Sequence, residues 1–249
     1  IGAIAAVAII FFAESNLKHL TFILIAIAFG TLVGFVAARK VQMTQMPQMV
    51  ALFNGVGGGA AMAVSAIEFL NVGKEESFIA LFATVFTVVI GSVSFTGSIV
   101  TFLKLQELMT SRPVVLPMGR FITIGVAFST FFMSIYLLIN PVNWALWALV
   151  ALSLILGILF VLPVGGADVP IVISLLNAFT GLSVAASGYV LDNVLLLVAG
   201  TLVGASGTLL TQLMAKAMGR PLTSTLFGAF TATTSSQSAS ADDRPVKSA

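Results

Sequence analysis

Two asparagines stand in the same local setting. Pro47-QMVALF-Asn54-GVG-Gly58 and Pro170-IVISLL-Asn177-AFT-Gly181 both read P-x6-N-x3-G. A side-chain amide donates and accepts hydrogen bonds but does not titrate, so it orients water or a neighbouring hydroxyl rather than carrying a proton itself. Each asparagine shares its helical face with small or polar residues: Asn54, Gly58, Ala61, Ser65 and Glu68 in the first stretch, Ser174, Asn177, Gly181, Ala185 and Gly188 in the second. A third stretch, Gly91-SVSFTGSIVT, adds Ser92, Ser94, Thr96, Ser98 and Thr101, with Ser94 near the middle of its helix. Polar groups are costly against lipid, so these stripes are expected to face a bundle interior. They have two readings. One is a hydrated path through Asn54, Asn177, Ser94, Ser65 and Glu68; the other is glue, small and polar residues that let helices approach and hydrogen-bond.

The remaining chemistry is sparse. Glu68 is the only acid inside an apolar stretch and lies near the outer end. It reads as a solvated helix-end carboxylate or as a group that takes up protons. His19 lies in a loop, where a solvated residue is expected rather than a ligand. With no cysteine there is neither disulfide nor thiolate metal site. Gly55-VGGG-Ala60 matches the dinucleotide fingerprint G-x-G-x-x-A, but that fingerprint works only between a strand and a helix of a soluble unit, and here it lies inside an apolar helix. No P-loop, HExxH motif or catalytic triad accompanies it.

The elements that must position these residues are membrane helices. Hydrophobic residues make up 59% of the 249 and charged residues 8%, against about 25% charged in a soluble domain. A helix crosses the hydrocarbon core with about 20 apolar residues, and eight such spans are expected: Ile1–Ala13, Leu20–Ala38, Pro47–Leu70, Phe78–Leu103, Phe121–Ile139, Trp144–Leu162, Pro170–Leu191 and Val194–Met214. Continuous apolar runs without period-two alternation exclude barrel strands. Pro47 and Pro170 fall where a first helical turn tolerates proline, Asn140-Pro141 marks a tight turn, and Trp144 and Trp147 suit the membrane interface. Gly200-TLV-Gly204 is a GxxxG packing motif. The formal charge of +2 gives no reason to expect nucleic acid.

Loops alternate sides. Of the 11 basic residues, Lys18 and Lys74 fall on one side; Arg39, Lys40, Lys104, Arg112, Arg120, Lys216, Arg220, Arg244 and Lys247 fall on the other. The second side, with the C-terminus, is therefore expected to be cytoplasmic. Seven residues of helix put each asparagine about 10 Å in from that side, at similar depth. Residues 1–230 read as one transmembrane domain. Residues 231–249, Ser/Thr-rich and without periodicity, read as a flexible linker of roughly 25 Å. The apolar run at Ile1 has no basic leader or cleavage site, so it is not a signal peptide, and sequence is expected to continue beyond one or both ends.

Three stretches together carry a resemblance: Ala38-RKVQMTQMPQMVALFNG, Gly91-SVSFTGSIVTFLKLQELM, and Gly165-GADVPIVISLLNAFTGLSVAASGYVLDN continuing to Lys216-AMGRP. Over roughly residues 20–230 the chain resembles the membrane domain of the β subunit of proton-translocating NAD(P) transhydrogenase. The resemblance implies an all-α integral membrane fold with nine spans in the full subunit, about eight visible here. It implies hydride transfer between NADH and NADP⁺ coupled to proton passage, in a bacterial inner membrane or its mitochondrial equivalent. It also implies an NADP(H)-binding domain after the linker, an α subunit with the NAD(H) domain and further spans, and a homodimer of the αβ unit. No cofactor site is expected in this stretch. Asn177 matches an asparagine of the family's proton path, and Asp168 an acidic residue at the cytoplasmic mouth, where a plain helix N-cap is the competing reading. Asn54 matches a position that is histidine in many members, so the expected proton carrier is missing. A His or carboxylate on a partner-subunit span near Asn54, or water alone, would have to replace it. A secondary transporter for a small solute and a structural anchor are the other two readings of the chain.

Overall fold

The structure, a computed structural model, describes residues 20–71, 77–114, 116 and 118–219. The chain divides into two compact units, residues 1–46 and 47–249. The first contains helix α1 (Leu20–Lys40), whose Arg39 guanidinium lies 4.5 Å over the Phe35 ring one turn earlier. A 3-10 turn at Met43–Gln45 follows, with Gln45 Oε1 accepting from the Gln42 N–H at 3.4 Å.

The second unit holds α2 (Met46–Asn71), α3 (Phe78–Leu105), α4 (Gly119–Ile139), α5 (Asn143–Val161), α6 (Val169–Val190) and α7 (Val194–Ala217), with a 3-10 turn at Gly166–Asp168 before α6. The described residues thus form seven helices long and apolar enough to cross a membrane. From 19 residues in α5 to 28 in α3, they span about 28 to 42 Å, against a hydrocarbon core of about 30 Å. Helix ends fall within three residues of the expected ones, because the same apolar runs set both. The eighth expected span, Ile1–Ala13, lies outside the described residues, as do His19 and the linker 231–249.

Backbone ends are satisfied locally. Ser77 Oγ caps α3 by accepting from Ala80 N–H at 3.2 Å, and Asn193 Oδ1 caps α7 through Leu196 N–H at 3.1 Å. Inside the helices many hydroxyls bond their own preceding turn: Thr101 to the Gly97 carbonyl, Thr130 to Val126, Thr208 to Gly204. That arrangement lets Ser and Thr sit in an apolar surround without an unpaired donor.

Close packing is set by glycine. The GxxxG pair of α7 faces α6: a Cβ on Gly200 would lie 2.7 Å from the Gly181 carbonyl, and one on Gly181 would lie 2.5 Å from Gly204 N. Helix α3 runs through the middle of the unit, touching α2 at Gly58–Gly91, α5 at Thr96–Gly157 and α6 at Gly97–Leu176. Two apolar clusters fill the space, one around Val88, Leu137, Leu146 and Leu149, the other around Val100, Val161, Val172 and Leu176. Phe121, Phe128, Phe131 and Phe132 of α4 and Leu195, Leu202 and Leu209 of α7 point outward, a large exposed apolar surface that a bilayer would cover. Trp144 and Trp147 are exposed as expected, and Trp144 packs against Tyr136 at 5.5 Å beside the Asn140–Pro141 turn.

Candidate functional site

Asn54 is 9% exposed and lies on the α2 face toward α3. Gly55, Gly58 and Gly91 bring the two backbones together, so a short amide spans the gap. Asn54 Nδ2 donates to Ser98 Oγ at 2.8 Å and reaches Ser94 Oγ at 3.4 Å. The two serines are four residues apart and therefore share a face. Ser94 extends the network to α6: its Oγ lies 2.5 Å from Thr180 Oγ1 and 3.0 Å from the Leu176 carbonyl, which Thr180 Oγ1 also approaches at 3.0 Å. Three helices thus meet in one line of hydrogen bonds.

Each hydroxyl in that line has a single proton to donate. If Ser94 donates to Thr180, Thr180 donates to Leu176; if Thr180 donates to Ser94, Ser94 takes the carbonyl. The geometry accommodates both directions without moving a heavy atom. Asn54 Oδ1, at the other end, is buried and has no hydrogen-bond partner among the described residues. Buried acceptors of this kind are rare in native proteins and mark a place for a water or a donor from another chain.

The other sequence-expected residues lie elsewhere. Asn177 is at the same level as Asn54: Gly57 opposes Thr180, with a Cβ at Gly57 falling 3.5 Å from Thr180 Cγ2, and each asparagine precedes its contact residue by three. Three residues turn the helix by about 300°, which leaves Asn177 within about 60° of Thr180 on α6, yet among the described residues its amide forms no hydrogen bond to Asn54, Ser94 or Ser98. It is half-buried, and its amide has no hydrogen-bond partner among the described residues. Ser65 is fully buried with its Oγ unpartnered, about 16 Å beyond Asn54 along α2. Glu68 is half-buried in the last turn of α2. Asp168 is half-buried at the start of α6, in a turn closed by its N–H donating to the Gly165 carbonyl at 2.9 Å; its side chain makes no capping bond to α6. Of the expected set, the structure brings together Asn54 and Ser94 and leaves Asn177, Ser65, Glu68 and Asp168 outside their network.

Sequence reasoning passed over Thr180, although it lies within the quoted Asn177-AFT-Gly181 stretch, and named Ser98 among the polar residues of its stretch without placing it on the candidate path, although it follows Ser94 at helical spacing. It also placed Lys104 in a loop. Lys104 is instead in the last turn of α3 and 1% exposed, with its ammonium donating to three backbone carbonyls. A lysine ending an apolar run reads as a span boundary, and nothing local distinguishes a buried one. The fingerprint-like Gly55–Ala60 stretch is helix-packing surface: Gly55, Gly58 and Gly59 all press on α3.

The sequence profile described as NAD(P) transhydrogenase beta subunit matches residues 1–249. Two sequences named NAD(P) transhydrogenase subunit beta, both from Rhodospirillum rubrum, are each 35% identical over 222 residues, covering 86% of this chain and 48% of the relative. The chain therefore spans about half the length of the curated relatives it matches.

Proposed function

The chain belongs to the NAD(P) transhydrogenase beta subunit family, and we propose that it forms the membrane path through which that enzyme couples hydride transfer between NADH and NADP⁺ to proton passage. The observation that carries the reading is the line from Asn54 through Ser94 to Thr180 and the Leu176 carbonyl. It is a chain of hydroxyls that can reverse its hydrogen-bond direction, buried among apolar helices and ending in an open acceptor. A proton relay needs that reversibility. It also needs a group that titrates, and neither amide nor hydroxyl does so near neutral pH. The titrating group is then a His or carboxylate on a span of the α subunit packed near Asn54, whose Oδ1 would accept from it directly or through one water. Asn177, level with Asn54 and outside its hydrogen-bond line, and Ser65 and Glu68 toward the far end, extend the path; Asp168 lies at its cytoplasmic mouth.

In this reading the chain itself binds no nucleotide. Residues 231–249 lead to an NADP(H)-binding domain, the α subunit brings NAD(H), two αβ units form a homodimer, and the C-terminus is cytoplasmic in an inner membrane. A solute transporter would call for helices broken at mid-membrane; α2 to α7 are each continuous. The test is proton flux in vesicles holding the full enzyme. Flux that follows NADP(H) turnover and falls at least tenfold in Asn54→Leu supports the path. Unchanged flux in that variant removes Asn54 from it.

A further inference from the structure

Lys104 is a cation buried at the end of a membrane helix with no acidic partner among the described residues, and it lies outside the hydrogen-bond line described above. Its Nζ donates to the carbonyls of Val161 at 3.1 Å, Leu162 at 2.6 Å and Val164 at 2.7 Å. These are the last carbonyls of α5 and its exit, which have no intrahelical donor and carry the negative end of the helix dipole. An ammonium has three protons, and all three are taken. The group is therefore closed to an anion or a substrate, and its chemistry here is mechanical.

What it holds is the segment that leads to Asp168. Leu162 and Val164 immediately precede Gly165–Asp168, and the loop after α3 clasps the same segment. Val114 N–H donates to Leu162 at 3.1 Å, Gly166 N–H to Ser111 at 2.9 Å, and Ser111 Oγ back to the Lys104 carbonyl at 3.2 Å. Gln48 Nε2 joins α2 to the same end through the Leu105 carbonyl at 3.1 Å. Lys104 thus sits between the turn before α6 and the helix bearing Ser98 and Ser94, about 9 and 15 Å further along α3.

We infer that Lys104 is a positioning residue: it clamps the α5–α6 turn, residues 161–168, to α3, so that displacement of that turn is transmitted to the Asn54–Ser94–Thr180 line. The inference builds on the proposed coupling of this domain to nucleotide turnover, but the clamp can be read without it. In the full enzyme in vesicles, Lys104→Met and Lys104→Arg are compared by backbone hydrogen exchange over residues 161–168 and by protons moved per hydride transferred. In Lys104→Met the segment is expected to exchange at least tenfold faster and the proton-to-hydride ratio to fall by half or more, with NADP(H) affinity retained; Lys104→Arg, which keeps charge and donors, is expected to restore both. Unchanged exchange in Lys104→Met overturns the clamp. Faster exchange with an intact ratio leaves a structural tie and overturns the transmission, as does Lys104→Arg behaving like Lys104→Met. If Lys104→Met does not assemble, Lys104→Gln is read by the same two measurements. An unmodified enzyme without NADP(H)-linked flux would sink the proposed function while the exchange result still decides the clamp.

Discussion

Ser94 Oγ and Thr180 Oγ1 lie 2.5 Å apart, and both are 3.0 Å from the same Leu176 carbonyl. Two donors compete for one carbonyl, so one must turn to the other hydroxyl. Thr180→Val keeps the methyl group that touches Gly57 and removes this choice. Interhelical side-chain hydrogen bonds in membranes average about 0.6 kcal/mol, so the cost to stability is expected to be no more than about 1 kcal/mol. Proton flux should fall far more than stability, and Thr180→Ser should restore it. Thr180→Val with normal flux would show that the pair only holds helices together.

Asn54 gives a second prediction. Its Nδ2 has two serine acceptors while its Oδ1 has no donor among the described residues, so the site has room for one more donor. Asn54→His is expected to assemble and to keep flux within about a factor of three, because an imidazole can use the same serines and titrates near neutral pH. The matching observation is the α subunit's own sequence or structure. Partner spans with no ionisable residue within a side chain's reach of Asn54 would leave a water wire as the better account.

The glycines divide sharply by environment. A Cβ at Gly200 would fall into the α6 backbone, whereas one at Gly125 in α4 meets nothing within 4 Å. Gly200→Val is expected to destabilise the unit by about 1–3 kcal/mol or more, since α6 and α7 cannot both stay in place. Gly125→Ala should be neutral or stabilising by about 0.5–1 kcal/mol, through reduced backbone freedom in the unfolded chain. Thermal unfolding in detergent compares the two. Equal midpoints would contradict the α6–α7 packing described here.

The sidedness of the chain follows from charge. The loop between α3 and α4, with Arg112, is expected on the cytoplasmic side together with residue 249, by the excess of Lys and Arg there. A reporter fused after Ala249 and a cysteine label introduced in that loop should report the same side. An external signal at Ala249 would reverse the orientation and with it the proposed linkage to the nucleotide domain.

Much of the fold was legible in the sequence, because bilayer thickness and continuous apolar runs leave little freedom in where α2 to α7 begin and end. Asn54 was legible too, since an amide among glycines in such a run has to face inward. Thr180 was not: a membrane-helix threonine ordinarily bonds its own preceding turn, and this one does so at Leu176, so only the approach of α3 reveals its second partner. The matching patterns around Asn54 and Asn177 indicated equal level but not which amide meets a hydroxyl, because that depends on the neighbour each helix presents. Lys104 was misplaced for a related reason. Its burial depends on carbonyls 57 to 60 residues away, which no local pattern contains.

The touch between Gly58 and Gly91 has a consequence for insulation. A Cβ on Gly91 would lie 2.7 Å from the Gly58 carbonyl and one on Gly58 3.1 Å from the Gly91 carbonyl. The backbones of α2 and α3 therefore close on each other one turn beyond Asn54, with no side chain between them at that point. If the proposed path holds, the contact acts as a septum. On the proposed path, a charge that visits Asn54 would have to pass this contact beside it rather than through it. In a membrane that stores energy as an ion gradient, such a septum would separate a regulated crossing from a short circuit, and it is built from two residues with no side chain at all.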